Sequence, residues 1–237
     1  YQTDTDEILA LNSISFDVKR GEFVAIIGPS GCGKTSILSI IAGLLKPSGG
    51  KVTLCGKEVK KGKTSIGYML QKDELFPWRT IEENAYLPLE VKKNKSKTEK
   101  DKVAALLKKY GLWEFRKKYP SQLSGGMRQR AALIRTMASS PDLLLLDEPF
   151  SALDYQTRLS VCDDLYDIIK KEKKTALLVT HDISEALSTA DRIVVLTKRP
   201  SKVLNIHIID LDKTATPLKR REDPRFSGWF ERMWREL

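Results

Sequence analysis

The order of apolar and polar positions divides this 237-residue chain into stretches of different texture. Phe23, Val24, Ala25, Ile26 and Ile27 are apolar without a break, which predicts a strand buried on both faces, and Ser36 to Ala42 carries the spacing of a helix. Ile8 to Val18 alternates well enough for a half-buried strand, and Val52-Thr53-Leu54 running into Cys55-Gly56-Lys57 predicts a hairpin. Between Thr80 and Ser140 the period lengthens. Val103, Ala104, Leu106, Leu107 and Tyr110 recur at helical spacing, Gly111 reads as a C-cap, and Met127 to Ala138 reads as a further helix. Aliphatic runs return at Leu143 to Leu146 and Ala176 to Val179, separated by a helical stretch around Leu159 to Lys171, the texture of parallel strands joined by crossover helices. Arg192 to Thr197 and Val203 to Ile209 predict two short strands. Phe226, Trp229, Phe230, Met233 and Trp234 predict an amphipathic helix packed on the body. The fold class is therefore α/β. There is no internal repeat, and the lysine-rich stretch near Lys95 is the one low-complexity candidate.

Composition narrows this only in part. A chain of this length buries a substantial core without staples, and its three cysteines, Cys32, Cys55 and Cys162, lie far apart with no metal-type spacing. A reducing compartment is expected. No apolar stretch reaches the roughly 18 residues of a membrane span, and the first residues, YQTDTDE, are acidic rather than signal-like, so the chain is not expected to cross a membrane by itself. The formal charge of +10 admits nucleic acid or an anionic membrane face as partners. Its main basic runs, Lys92 to Lys102 and Lys219 to Arg221, lack interleaved aromatics and read as solvated faces, so no nucleic-acid partner is expected.

The chemistry is concentrated in Gly28-Pro29-Ser30-Gly31-Cys32-Gly33-Lys34-Thr35, placed after the first buried strand and before Ser36 and its helix. The pattern G-x-x-x-x-G-K-T in that setting makes a phosphate cradle. Glycines allow positive φ, backbone N–H groups converge on an anion at a helix N-terminus, Lys34 adds charge for the β- and γ-phosphates, and Thr35 offers a hydroxyl to Mg²⁺. The cradle by itself fits a nucleotide kinase, a GTPase, a helicase or a transport ATPase. The strand Leu143 to Leu146 ends in Asp147-Glu148-Pro149, which puts two carboxylates at the nucleotide edge of a sheet. Asp147 is suited to the Mg²⁺ shell and Glu148 to polarising an attacking water.

Leu123-Ser124-Gly125-Gly126-Met127-Arg128-Gln129-Arg130 then resembles the signature sequence of the ATP-hydrolysing subunits of ATP-binding cassette (ABC) transporters, with Met127 where the usual consensus has Gln. Read without the family, Ser124 is an N-cap. The resemblance runs from Tyr1 to about Lys198 and implies a P-loop NTPase with a RecA-like parallel-sheet core, an N-terminal antiparallel β subdomain and an inserted helical subdomain. It implies one domain over residues 1–237, with 1–71 and 141–213 as core, 72–140 as the helical signature subdomain and 214–237 as a C-terminal helical tail. It further implies that Ser124, Gly125 and Gly126 complete the ATP site of a second copy in a head-to-tail homodimer. Gln71 looks like the Q-loop residue, near Mg²⁺ and the attacking water; Ser151-Ala152-Leu153-Asp154 looks like the D-loop, with Asp154 coupling the two copies. His181 looks like the switch histidine at the γ-phosphate, and Tyr1 like the aromatic that stacks on adenine. ATP and Mg²⁺ are the implied cofactors, with Thr35, Gln71 and Asp147 around the metal.

The implied partners are a transmembrane permease and an extracytoplasmic solute-binding protein, with the chain peripheral on the cytoplasmic side of the membrane. The segment from Asp73 to Thr80 suits an anchor for the permease, and within it Leu75-Phe76-Pro77-Trp78-Arg79-Thr80 is similar to importers of the nitrate, sulfonate and taurine group. Two other classes stay open here. A DNA-repair or chromosome-organising ATPase shares cradle and signature but separates them by a long coiled coil, whereas about 90 residues lie between Lys34 and Ser124 with no sustained heptads. A non-catalytic regulatory cassette would keep the fold and lose hydrolysis.

Overall fold

The computed structural model describes residues 9–60, 64–93 and 96–237. Tyr1, the expected adenine platform, and Lys95 lie outside them. The described residues form two compact units, one from the chain up to Thr64 and from Thr175 onward, the other from Ser65–Lys174.

In the first unit β1 (Phe23–Ile27) is buried along its whole length, as its unbroken apolar run requires. It pairs in parallel with β6 (Thr175–Val179) on one side and β7 (Arg192–Leu196) on the other, and β8 (Val203–Ile208) runs antiparallel to β7. The helix α1 (Lys34–Ile41) follows β1, and α6 (Ile183–Thr189) follows β6. The expected hairpin forms as β2 (Thr53–Leu54) and β3 (Lys57–Glu58). Its two turn residues, Cys55 and Gly56, both have positive φ, 51° and 76°, the twist that suits a two-residue hairpin loop. Between Ser13 and Val18 the predicted alternation survives as half-buried Ile14, Phe16 and Val18 against exposed Ser13, Ser15 and Asp17. No strand forms there among the described residues; Leu11 makes a single bridge to Ser201. Alternation reports which face is covered, and it carries no information on whether a hydrogen-bonding neighbour exists.

The chain ends in α7 (Pro217–Arg221) and α8 (Phe226–Glu236), both packed on α6. Met233 is buried and the Trp229 indole donates to Asp210 Oδ1 at 2.7 Å, so α8 does pack on the body; Trp234 on its outer side is 69% exposed. Arg220 is fully buried. Its guanidinium donates to the carbonyls of Asp212 at 2.8 Å and of Ser188 and Ala190 at 3.3 Å, closing the C-terminal end of α6. We expect Arg220→Met to cost about 2–4 kcal/mol in a urea melt, because the methionine fills the space and leaves the buried Ser188 and Ala190 carbonyls and the part-buried Asp212 carbonyl without that donor.

In the second unit β4 (Ile66–Met69) and β5 (Leu143–Asp147) pair in parallel, Ile66 opposite Leu143. Gly67 is required there: a Cβ would stand 2.8 Å from Thr136 Cγ2 and 3.0 Å from Pro141 Cγ. The rest is helical, as the lengthened period predicts, with α2 (Ile81–Val91), α3 (Lys97–Lys109), α4 (Gly125–Met137) and α5 (Tyr155–Lys171). Thr80 and Glu83 form a capping box at the start of α2. Gly111, at φ 72°, ends α3, where the Leu112 N–H reaches back to the Leu107 carbonyl at 2.8 Å. The compact units thus divide at 64/65 and 174/175, which differs from the boundaries 71/72 and 140/141 expected from motif order. The strand β4 packs against α4, so the β4–β5 pair belongs to the same unit as the helices.

Candidate nucleotide site

The cradle starts where β1 ends. Gly28 has no room for a side chain, since a Cβ would meet Cys32 Sγ and Leu196 Cβ at 3.0 Å. Gly33, at φ 100°, is the N-cap of α1 and offers no side-chain acceptor to the first turn, which holds no acidic residue. The N-terminus of α1 carries the positive end of the helix dipole at the loop, which favours an anion there. Lys34 is 7% exposed, and its ammonium donates to the carbonyls of Gly28 at 2.8 Å and Pro29 at 3.1 Å. Ser36 is buried, and Thr35 is exposed. Burial pushes the Cys32 thiol above its ordinary pKa against the opposing charge of Lys34, so it stays neutral and takes no part as a thiolate.

His181 follows β6 on the same sheet edge, the Thr180 N–H donating to the Ile26 carbonyl at 3.2 Å. The turn that carries it is fixed by a buried carboxylate that sequence reading passed over. Thr180 Oγ1 donates to Glu185 Oε2 at 2.6 Å and accepts from the Asp182 N–H at 3.0 Å, while Asp182 caps α6 by accepting from the Glu185 N–H at 3.1 Å.

The second unit holds the carboxylates and the signature. Tyr68 on β4 donates its hydroxyl to Asp147 Oδ2 at 3.1 Å, which orients the carboxylate at the end of β5. Glu148 has a positive φ of 45°. Its carbonyl accepts from Ser151 Oγ at 3.0 Å, and that hydroxyl accepts from Gln71 Nε2 at 3.1 Å, so the Q-loop amide and the Glu148 backbone share one serine. Ser124 caps α4, accepting from the Met127 N–H at 3.3 Å. Asp154 caps α5, and its bond from Thr157 holds its carboxyl below the usual carboxylate range. Both residues have a local structural task in addition to the expected one.

The signature helix is tied to the segment after Gln71. Arg128 donates to Asp73 Oδ2 at 3.0 Å and to the Leu123 carbonyl at 2.8 Å; Arg135 donates to the carbonyls of Asp73 and Glu74. A cleft of about 380 Å³ beside it is lined by Lys72, Asp73, Gly125, Arg128 and Leu153. Both signature glycines also serve packing. A Cβ on Gly125 would lie 3.0 Å from Leu153 Cδ2, and one on Gly126 2.7 Å from Val161 Cγ2. Gly126→Val should therefore lower stability by about 1–3 kcal/mol through overpacking of α4 on α5, read as a shift of the denaturation midpoint in the absence of nucleotide.

The residues fit a nucleoside triphosphate with Mg²⁺. A helix N-terminus and a buried ammonium held by backbone oxygens favour phosphate. No cluster of three or more His, Cys, Asp or Glu that could hold a metal stands among the described residues. Mg²⁺ is commonly held by one or two protein groups together with substrate phosphates.

A mostly parallel sheet with a G-x-x-x-x-G-K-T loop between strand and helix defines a P-loop NTPase domain. The chain belongs to the ABC transporter family, whose sequence profile matches residues 11–151. The ABC transporter ATP-binding protein YtlC of Bacillus subtilis is 47% identical over 238 residues, covering 100% of this chain and 92% of that protein. The aliphatic sulfonates import ATP-binding protein SsuB of Bacillus cereus is 41% identical over 223 residues, 94% of this chain and 86% of that one. The fold is similar to the dimeric post-hydrolysis structure of the ATP-binding cassette MJ0796 bound to ADP and Pi, with a TM-score of 0.74 and 35% identity over 88% of this chain and 94% of that one. The chain is thus an ATP-binding ATPase subunit of an ABC transporter.

Proposed function

We propose that this subunit powers import of a small solute of the sulfonate, taurine or nitrate type through a separate permease, working as a homodimer on the cytoplasmic side of the membrane. The observation that carries the reading is the joint presence of a phosphate cradle and a capped Ser124-Gly125-Gly126 helix start in one chain, two anion-binding ends for one nucleotide per copy. In the proposed dimer Gly28 to Ser36 of one copy hold the triphosphate, and Ser124, Gly125 and Gly126 of the mate approach its far side. Lys34 neutralises the β- and γ-oxygens. Thr35, Asp147 and Gln71 would hold Mg²⁺, which would supply charge neutralisation. Glu148 takes the proton of the attacking water, and His181 donates to the γ-phosphate. Loss of that phosphate removes the charge joining the copies, and the resulting difference in dimer affinity drives the permease between two states.

Phe76 and Trp78 support the docking part. They are 37% and 70% exposed and stacked at 5.0 Å, so they do not pack into the core. The buried Asn84 holds their loop, accepting from the Phe76 N–H at 2.7 Å and donating to the Phe76, Arg79 and Thr80 carbonyls. An exposed aromatic pair on a braced loop suits an interface anchor. The import relative SsuB favours a sulfonate among the candidate solutes.

The test is deletion in the source organism followed by growth on an alkanesulfonate, taurine or nitrate as sole sulfur or nitrogen source. Loss of growth on one of them, restored by the wild-type chain and not by Trp78→Ala, is the expected result. Unimpaired growth and uptake on all three would remove this substrate class. Hydrolysis by the purified chain should also fall to background when Mg²⁺ is chelated and return on its addition.

A further inference from the structure

The loop that follows β7, residues 197–202, braces the phosphate cradle from behind. Arg199, exposed at the surface, donates from its guanidinium to the Gly31 carbonyl at 2.8 Å. Ser201 is fully buried, and its hydroxyl donates to the Cys32 carbonyl, with the Ala10 carbonyl at 3.2 Å as a second acceptor for the same proton. The backbone of Ser201 is held on both sides. Its N–H reaches the Ala10 carbonyl at 3.0 Å, and its carbonyl accepts from the Asn12 N–H at 2.8 Å. Leu11, between them, occupies the space a Cβ on Gly33 would need, at 2.8 Å from Cδ2.

Across a trans peptide plane the carbonyl of one residue and the N–H of the next point in opposite directions. Drawing the Gly31 and Cys32 carbonyls toward residues 197–202 therefore turns the N–H groups of Cys32 and Gly33 away from that loop. The Cys32 N–H makes a long bond, 3.3 Å, to the Pro29 carbonyl, and the Gly33 N–H belongs to the N-cap of α1. Gly31 and Gly33, at φ 74° and 100°, have no side chain to hold their planes, and glycine visits either sign of φ with little cost. The restraint comes from outside the loop.

We propose that Arg199 and Ser201 are positioning residues of the ATPase, keeping the Gly31 and Cys32 peptide planes in the orientation that presents backbone N–H donors to the β- and γ-phosphates. Donors oriented before the nucleotide arrives need no reorganisation on binding. The proposal rests on the reading of Gly28 to Thr35 as the phosphate site and adds the residues that set its geometry. Its prediction is selective by phosphate: the β- and γ-phosphates depend on the loop, and the rest of the nucleotide does not.

The experiment measures affinities of the full-length chain for ATP, ADP and AMP, with the thermal midpoint of each variant. Arg199→Ala should weaken ATP and ADP by about 5- to 20-fold, leave AMP within about twofold and keep the midpoint unchanged. Arg199→Gln retains a neutral donor for the Gly31 carbonyl and should recover most of that loss. Ser201→Ala should weaken the same two nucleotides. The proposal is overturned if Arg199→Ala leaves ATP and ADP unchanged in a folded chain, or if AMP weakens in parallel. It is also overturned if Arg199→Gln binds as poorly as Arg199→Ala while Arg199→Lys binds as wild type, because the arginine then acts as a charge on the nucleotide and not through the carbonyl. A wild-type chain that bound neither ATP nor ADP would overturn the underlying reading of the cradle instead.

Discussion

Glu148→Gln should leave a chain that binds ATP and hydrolyses it about 10²- to 10⁴-fold more slowly, the range expected for loss of a positioned general base. The substitution keeps the size and shape of the side chain, and the backbone anchor through Ser151 Oγ to the Glu148 carbonyl is independent of it. The negative charge and the ability to take a proton from water are lost together. ATP binding is preserved because the cradle, Lys34 and α1 are untouched. The nucleotide-loaded state then persists, and the variant should elute as a dimer in ATP and Mg²⁺ where the wild type returns to monomer. Phosphate release under saturating ATP and elution volume are the two readouts. Undiminished hydrolysis would take the base role away from Glu148 and favour the regulatory-cassette reading.

Lys34→Met should lower ATP affinity by about 10- to 100-fold, about 1.4–2.8 kcal/mol, and reduce turnover by about 10² or more at any attainable ATP concentration. Methionine keeps the unbranched stem in its buried channel and removes the ammonium. The carbonyls of Gly28 and Pro29, which accept from Nζ at 2.8 and 3.1 Å, lose that donor, and the proposed triphosphate site loses a buried cation. The thermal midpoint without nucleotide should fall as well, because the Gly28 carbonyl is left buried without that donor, so affinity and turnover are compared at a temperature where both chains are folded. Titration of the two states with ATP separates the outcomes. An unchanged ATP affinity with collapsed turnover would place the role of Lys34 in the reaction and outside ground-state binding.

Much of the fold was legible along the chain because its signals are local. Five consecutive apolar residues at Phe23–Ile27 can only be covered on both faces, and the same holds for Leu143–Leu146 and Ala176–Val179. The Cys55-Gly56 turn and the Gly111 cap were readable from backbone preferences of single residues. The stretch at Ile14 to Val18 was less so, because its pattern does not name a hydrogen-bonding neighbour. The cradle and the Asp147-Glu148 pair were legible for a further reason: their chemistry requires donors adjacent in sequence, within one loop or at one strand end.

The groups that orient those residues could not be read this way. Tyr68 meets Asp147 from 79 positions away, Arg128 meets Asp73 from 55, and Arg199 meets Gly31 from 168. Tyrosine in a strand, arginine in a helix and arginine in a surface loop each have an ordinary solvated or packed use, and nothing in the local pattern marks a distant partner. The amino-acid order by itself determined the alternation of strands and helices, the phosphate loop, the acidic strand end and the signature turn, because these depend on contacts within a few residues. Only the folded chain decided which side chains hold them in place, since a hydrogen bond between remote segments is set by strand register and helix packing and leaves no periodic trace in the sequence.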